Sequence, residues 1–144
     1  MKHSKFPKVG EPTPPNVADL ISDIIKNKVV CDIGCGEGDF MQDMAKYAKK
    51  IIGIEFDKEK AKKAFSKGFE IMSGDSFFHK LPEADVYYAW TRDAQGVYMK
   101  AKWEGTKGIF IFGLTRRPPL RKFIKELNPE VRIVNNFEVY ITNL

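Results

Sequence analysis

The chain is poor in the residues that staple a small protein together. It has two cysteines, Cys31 and Cys35, and two histidines, His3 and His79, in 144 residues. Two thiols make no disulfide framework. A zinc site needs more ligands, and neither histidine stands at metal-like spacing from the cysteines, so no metal is expected. Both cysteines read as small packing residues around a tight loop, because a buried free thiol behaves as a small hydrophobe. Long apolar runs are missing too, and none approaches the ~20 residues of a membrane-crossing helix. The opening stretch MKHSKFPKVGEPTPP is basic without an apolar h-region, so it does not read as a secretory signal. Repeats and low-complexity linkers are also lacking. The expectation is a cytoplasmic chain with a flexible basic arm over residues 1–12 and one domain over residues 13–144.

What is present supports a folded core: 43% of the residues are hydrophobic and 12% aromatic. The net charge is +5. Its excess gathers in the last third, at Lys100, Lys102, Lys107, Arg116, Arg117, Arg121 and Lys122. A basic face of this kind can meet nucleic acid or an acidic protein; an ordinary solvated surface explains it equally simply.

Apolar positions Val17, Leu20, Ile21, Ile24 and Ile25 form the stripe of an amphipathic helix over residues 16–26, with Thr13, Pro14 and Pro15 at its start. VVCDIGCG (29–36) is a β-branched run ending in glycines, which reads as a buried strand. A helix over 38–48 should turn Phe40, Met41, Met44 and Ala45 inward. Strand IIGIEF (51–56) and helix 58–67 follow, the latter burying Ala61, Ala64 and Phe65. FEIMSGD (69–75), ADVYYAW (84–90) and GIFIFGL (108–114) are further strands, with a helix over 94–102 between the last two. Pro118 and Pro119 open a helix that buries Leu120, Phe123, Ile124 and Leu127. Two closing strands meet at Asn135 and Asn136. Alternating strands and helices imply a parallel sheet with helices on both faces. The last connection is too short for a parallel crossover, so the final pair must be antiparallel. The expected fold is α/β: a three-layer sandwich around a seven-stranded, mostly parallel sheet that ends in an antiparallel hairpin.

Three segments carry chemistry. Asp32-Ile33-Gly34-Cys35-Gly36-Glu37-Gly38 follows a strand and opens a helix. Its glycines allow a tight turn and close approach to a ligand, and the helix presents free N–H groups. GxGxG alone is weak, but this context is the one the motif requires. Glu55 lies 19 positions after Gly36, inside an apolar run where a carboxylate is costly without a partner. An acid there can accept from both hydroxyls of a ribose. Asp75, after Gly74 and before Ser76, can accept from an adenine amine; a turn or helix cap is its plainer role.

Taken together, VVCDIGCGEGDF, IIGIEFD, IMSGDSF and LPEADVYYAW resemble the successive cofactor motifs of class I, Rossmann-like S-adenosylmethionine-dependent methyltransferases, over essentially the whole chain. The resemblance implies that Asp32, Gly34 and Gly36 surround the methionine part of the cofactor, that Glu55 takes the ribose, and that Asp75 with Ser76 takes the adenine. Thr13 joins the cofactor-binding set because PTPP resembles a segment that closes over the methionine end, and Ala89 joins it at the end of the fourth strand. Dinucleotide oxidoreductases, the confusable class, usually show GxGxxG. A narrower pattern, PTPPNVADLI with GIEFDKEKAKKA and DSFF, is similar to small archaeal-type protein-lysine methyltransferases and their mitochondrial relatives.

The acceptor should enter near Trp90, Thr91, Arg92 and Asp93. Families that methylate adenine or glutamine amides carry Asn/Asp-Pro-Pro-aromatic there, and this chain has Ala89-Trp90-Thr91-Arg92. Trp90 and Asp93 are the catalytic candidates: Trp90 as an aromatic wall for an alkylammonium, Asp93 to orient or deprotonate an amine. Core packing and a helix N-cap are their respective structural alternatives. Few residues are available to enclose a small substrate. The expected function is therefore methyl transfer to lysine side chains of proteins, with RNA or small-molecule methylation, or non-catalytic cofactor binding, as alternatives. The expected partner is a macromolecular acceptor, protein ahead of RNA, with no membrane and a chain compatible with a monomer.

Overall fold

The computed structural model describes residues 11–75 and 80–144. Residues 1–10 of the proposed arm, and Ser76, lie outside the described residues. Seven strands form one sheet: β1 (Val29–Ile33), β2 (Lys50–Glu55), β3 (Glu70–Ser73), β4 (Val86–Ala89), β5 (Ile109–Phe112), β6 (Glu130–Val134) and β7 (Phe137–Asn143). Their order is β3-β2-β1-β4-β5-β7-β6. The first five run parallel. β7 inserts antiparallel between β5 and β6. This is the expected Rossmann-like sheet with its antiparallel hairpin. The chain leaves β1 toward β2 on one side and returns to β4 on the other, so a crevice opens at the carboxyl ends of β1 and β4.

Among the described residues six helices flank the sheet: α1 (Asn16–Leu20), α2 (Ser22–Ile25), α3 (Asp39–Met44), α4 (Lys58–Ser66), α5 (Ala94–Trp103) and α6 (Pro118–Glu126). One face packs Val17, Ile21, Ile25, Met41 and Met44 against Val30, Tyr88 and Phe137. The other packs Val97, Tyr98, Leu120 and Ile124 against Tyr87, Phe110 and Phe112. Strand alternation thus sends Tyr88 toward α3 and Tyr87 toward α5 and α6. No helix among the described residues is long and apolar enough to cross a membrane.

Three expectations need correction. The helix over 16–26 is two short helices that meet at Ile21, whose φ −108 and ψ 13 leave the helical region. Ala45 is exposed, because α3 ends at Met44 and the chain tightens into a turn in which Tyr47 N donates to Met44 O. Phe65 is 69% exposed. α4 approaches the sheet on its alanines, Ala61 and Ala64, and the next residue round the helix points away.

Arg132 fastens the sheet's outer strand to the helical layer. Its guanidinium donates to Leu20 O at 3.0 Å, to both Asp23 oxygens at 2.6 and 3.1 Å, and to Glu130 at 2.7 Å. The pair holds the Asp23 carboxyl below its ordinary pKa, chiefly through those hydrogen bonds.

Candidate functional site

The loop after β1 is drawn across the top of the sheet by its neighbour strand. Gly34 N and Cys35 N both donate to Ile54 O, at 2.8 and 2.9 Å. Gly34 sits at φ +75, and a Cβ there would lie 2.5 Å from Thr91 Cγ2, so a side chain would be strained and would displace Thr91. Gly53 has the same restriction from below: a Cβ would lie 2.6 Å from Cys35 Sγ and 2.8 Å from Met41 Sδ. A bare β2 backbone lets the loop and α3 settle onto the sheet. Both cysteines are buried and free, as packing residues should be, and burial pushes both thiols up from their ordinary pKa.

Glu55 closes the arrangement. Gly36 N donates to Glu55 Oε1 at 2.7 Å and Asp57 N to Oε2 at 2.8 Å. Gly74 N donates to the Glu55 carbonyl at 2.8 Å. One residue thereby ties the loops after β1, β2 and β3 together. A carboxylate has about four lone-pair sites, so two backbone donors leave capacity for further hydroxyls.

These loops surround a cleft of about 520 Å³. Glu11, Thr13, Asp32, Gly34, Gly36, Phe40, Glu55, Phe56, Lys60, Gly74, Asp75, Tyr88, Trp90 and Asp93 are among its lining. Of the residues singled out from the sequence, Thr13, Asp32, Gly34, Gly36, Glu55, Asp75, Trp90 and Asp93 share this one space. Ala89 does not line it; its side chain is buried in the α5–α6 core, because the residue before Trp90 points to the opposite face. Asp93 occupies the position before α5, yet its side chain makes no capping bond. Trp90 packs edge-on against Phe137 at 5.1 Å and also lines the cleft.

Sequence reasoning passed over Phe56, Phe40, Glu11 and Lys60. Phe56 could have been found: it directly follows Glu55 at a strand end, and it is 73% exposed, which is wasteful for a phenyl ring without a partner. Phe40 was counted as core, and it is; it also leans on Tyr88 at 4.8 Å in the cleft wall. Thr13 meets the Tyr88 hydroxyl at 3.3 Å, which brings the PTPP segment over the end of β4.

The charge of the cleft is one-sided. Among the described residues Glu11, Asp32, Glu37, Asp39, Glu55, Asp75 and Asp93 line it with one ammonium, that of Lys60. Asp32 is the extreme case. The residue is 3% exposed, and burial, followed by the like charge of Glu55, pushes its pKa up to about 8. Lys63 and Lys67 partly offset the outer rim through ion pairs with Glu37 and Asp39 at 3.4 and 3.1 Å.

Residues 24–85, from α2 through the end of the third crossover, match a family model described as a methyltransferase domain. Over these 62 of its 144 residues the chain is similar to a methyltransferase domain, a class whose cofactor is S-adenosylmethionine. An RNA methyltransferase from Salinibacter ruber, in complex with S-adenosyl-L-homocysteine, superposes with a TM-score of 0.70 at 21% identity over 92% of this chain and 93% of that one. A proposed RNA methyltransferase from Pyrococcus horikoshii gives 0.69 at 20% identity, over 98% and 91%. A precorrin 8w decarboxylase from Methanobacterium thermoautotrophicum gives 0.67 at 19%, over 91% and 90%. At such identities the likeness is one of fold, and one fold hosts many acceptors. No curated protein sequence matches the chain significantly.

Proposed function

We propose that this chain uses S-adenosylmethionine to methylate a nitrogen presented by a macromolecule, and that the nitrogen is the ε-amine of a protein lysine. The observation that supports the reading is the sign of the cleft: among the described residues six acids besides the protonated Asp32 line it with one ammonium, which favours cations and disfavours phosphate.

The residues suit the cofactor. Asp32 is buried with a second acid beside it, an arrangement that a cationic ligand relieves. Glu55 keeps lone pairs for ribose hydroxyls, Asp75 can accept from an adenine amine, and Phe56 offers a ring face next to it. Gly34, at φ +75, turns the backbone of the loop after β1 along the cleft. When bound, the cofactor supplies an electrophilic methyl group on a sulfonium.

The rest falls to the chain's own residues. At the acceptor end Trp90, Phe40 and Tyr88 form an aromatic wall that takes an alkylammonium by cation–π attraction. Desolvation against that wall favours the neutral amine needed for attack. Asp93 has no capping duty and is available to orient the amine and hold its proton. Alignment of nucleophile and methyl then accounts for much of the rate.

Incubating the protein with methyl-labelled cofactor and cell extract tests the reading. Label that survives nuclease, disappears with protease and maps to methyl-lysine supports it. Label confined to RNA or to small metabolites refutes the acceptor and leaves methyl transfer standing. Absence of label in every fraction contradicts methyl transfer itself.

A further inference from the structure

We propose that a groove behind the β5–α6 loop is a docking site for an acidic, partly apolar segment of the protein whose lysine enters the cleft. This rests on the protein-acceptor reading above and adds a second point of contact to it. The groove has a volume of about 360 Å³ and is lined by Leu114, Arg116, Arg121, Ile133, Asn136 and Glu138.

It lies where the sheet extends past its helical cover. β6 is the outermost strand and pairs with β7. Alternation sends Arg132 to the α1 face, where it is held, and leaves Val131 and Ile133 on the other face, opposite Tyr140 and Glu138. Val131 and Ile133 are 49% and 58% exposed. The groove therefore presents the exposed Ile133 beside two guanidiniums. Arg121 is held in place by Thr115 O at 3.5 Å, Glu138 at 3.4 Å and the Tyr140 hydroxyl at 3.3 Å. Glu138 is held in turn by the Tyr140 hydroxyl. A guanidinium fixed beforehand loses little freedom when it takes a carboxylate.

The groove and the cleft share a wall. Gly113 N donates to Ala89 O at 2.9 Å, and a Cβ on Gly113 would lie 2.7 Å from Trp90 Cβ, so the loop after β5 rests directly on Trp90. The same loop supplies Leu114 and Arg116 to the groove. Arg117 Nη1 reaches Arg92 O at 3.2 Å and couples it to the loop after β4. A chain with its lysine against Trp90 crosses this loop to reach the groove.

The chemistry selects the occupant. Glu138 in the wall opposes any anion and leaves the groove only weakly positive, and a phosphate backbone gains nothing from Ile133. A side-chain carboxylate with an apolar neighbour uses both the guanidiniums and Ile133. The opposite signs of cleft and groove then select a mixed-charge surface, with an acid displaced along the chain from the target lysine.

Fluorescence anisotropy without cofactor tests this with three labelled probes: a peptide alternating Glu and Leu around one Lys, the same peptide with Gln for Glu, and oligouridylate. The acidic peptide should bind the full chain, and its affinity should fall about tenfold or more in Arg116→Glu. It should also weaken in Ile133→Ser and with added salt, while the Gln peptide binds poorly to all forms. Equal binding of the Glu and Gln peptides, or an unchanged affinity in both variants, overturns the proposal. Binding of oligouridylate that is lost in Arg116→Glu overturns it in favour of a phosphate site, and failure of all three probes to bind overturns it too. No methyl transfer enters the measurement, so its failure leaves the reading of the cleft intact. Label found on RNA in the extract experiment would remove that reading whatever the peptides do.

Discussion

Replacing Asp32 by Asn should stabilise the ligand-free protein and weaken its cofactor binding at the same time. Burial and the charge of Glu55 push the Asp32 pKa up to about 8, whereas an unfolded Asp titrates near ~3.9. Between those values the native state holds one proton more than the unfolded state. Stability therefore falls as pH rises through this window, by about 1.4 kcal/mol per pH unit for one full proton. The penalty of the buried carboxylate is complete above the folded pKa and fades as pH falls toward the unfolded one. Asn has nearly the same shape and no charge, so it removes this slope. Urea denaturation of both proteins should show the variant gaining about 2–3 kcal/mol on the parent between about pH 5 and about pH 7. A cationic ligand favours the ionised carboxylate, so cofactor binding near neutral pH should release a proton in the parent and none in the variant. Calorimetry in buffers of different ionisation enthalpy reads that proton. Parallel stability curves for the two proteins, or equal cofactor affinity, would refute the reasoning.

Glu55→Ala should cost about 1–3 kcal/mol of cofactor affinity through lost charge-assisted hydrogen bonds, with circular dichroism still α/β; isothermal titration decides, and equal affinity removes Glu55 from the site. Phe56→Ala should cost roughly 1 kcal/mol of the same affinity if its ring faces the adenine, with no loss of melting temperature because the ring is 73% exposed. Arg132→Ala should lower stability by about 1 kcal/mol in thermal melts, since it unties β6 from Leu20 and Asp23 and the exposed acid discounts the ion pair. Cofactor affinity should not change in that variant.

The sheet was legible because its strands are β-branched runs bounded by glycines, and because Asn135 and Asn136 leave no length for a parallel crossover. Helix faces were less so. Ala45 and Phe65 fit an apolar stripe, but one falls past the end of α3 and the other beside an alanine face that brings α4 close to the sheet. That the glycines and Glu55 would border one cleft could be read from the sequence, since a tight turn after a strand demands glycine and a carboxylate inside an apolar run needs a partner. The double role of Glu55 could not: the two amides it accepts from lie in different loops, and their convergence is tertiary. Ala89 was misplaced by one position of strand alternation. The shared acidity of the cleft was hidden for the same reason, since Glu11 and Asp93 are 82 positions apart in sequence and meet only across the carboxyl end of the sheet.

Isothermal titration of S-adenosylmethionine into the parent and into Gly34→Val tests the assignment of the cleft most directly. The parent should bind one equivalent. The valine variant, at φ +75 with its Cβ 2.5 Å from Thr91 Cγ2, should keep an α/β circular dichroism spectrum and give a flat titration. Binding that survives the substitution, or a parent that does not bind, would contradict the cofactor site described here.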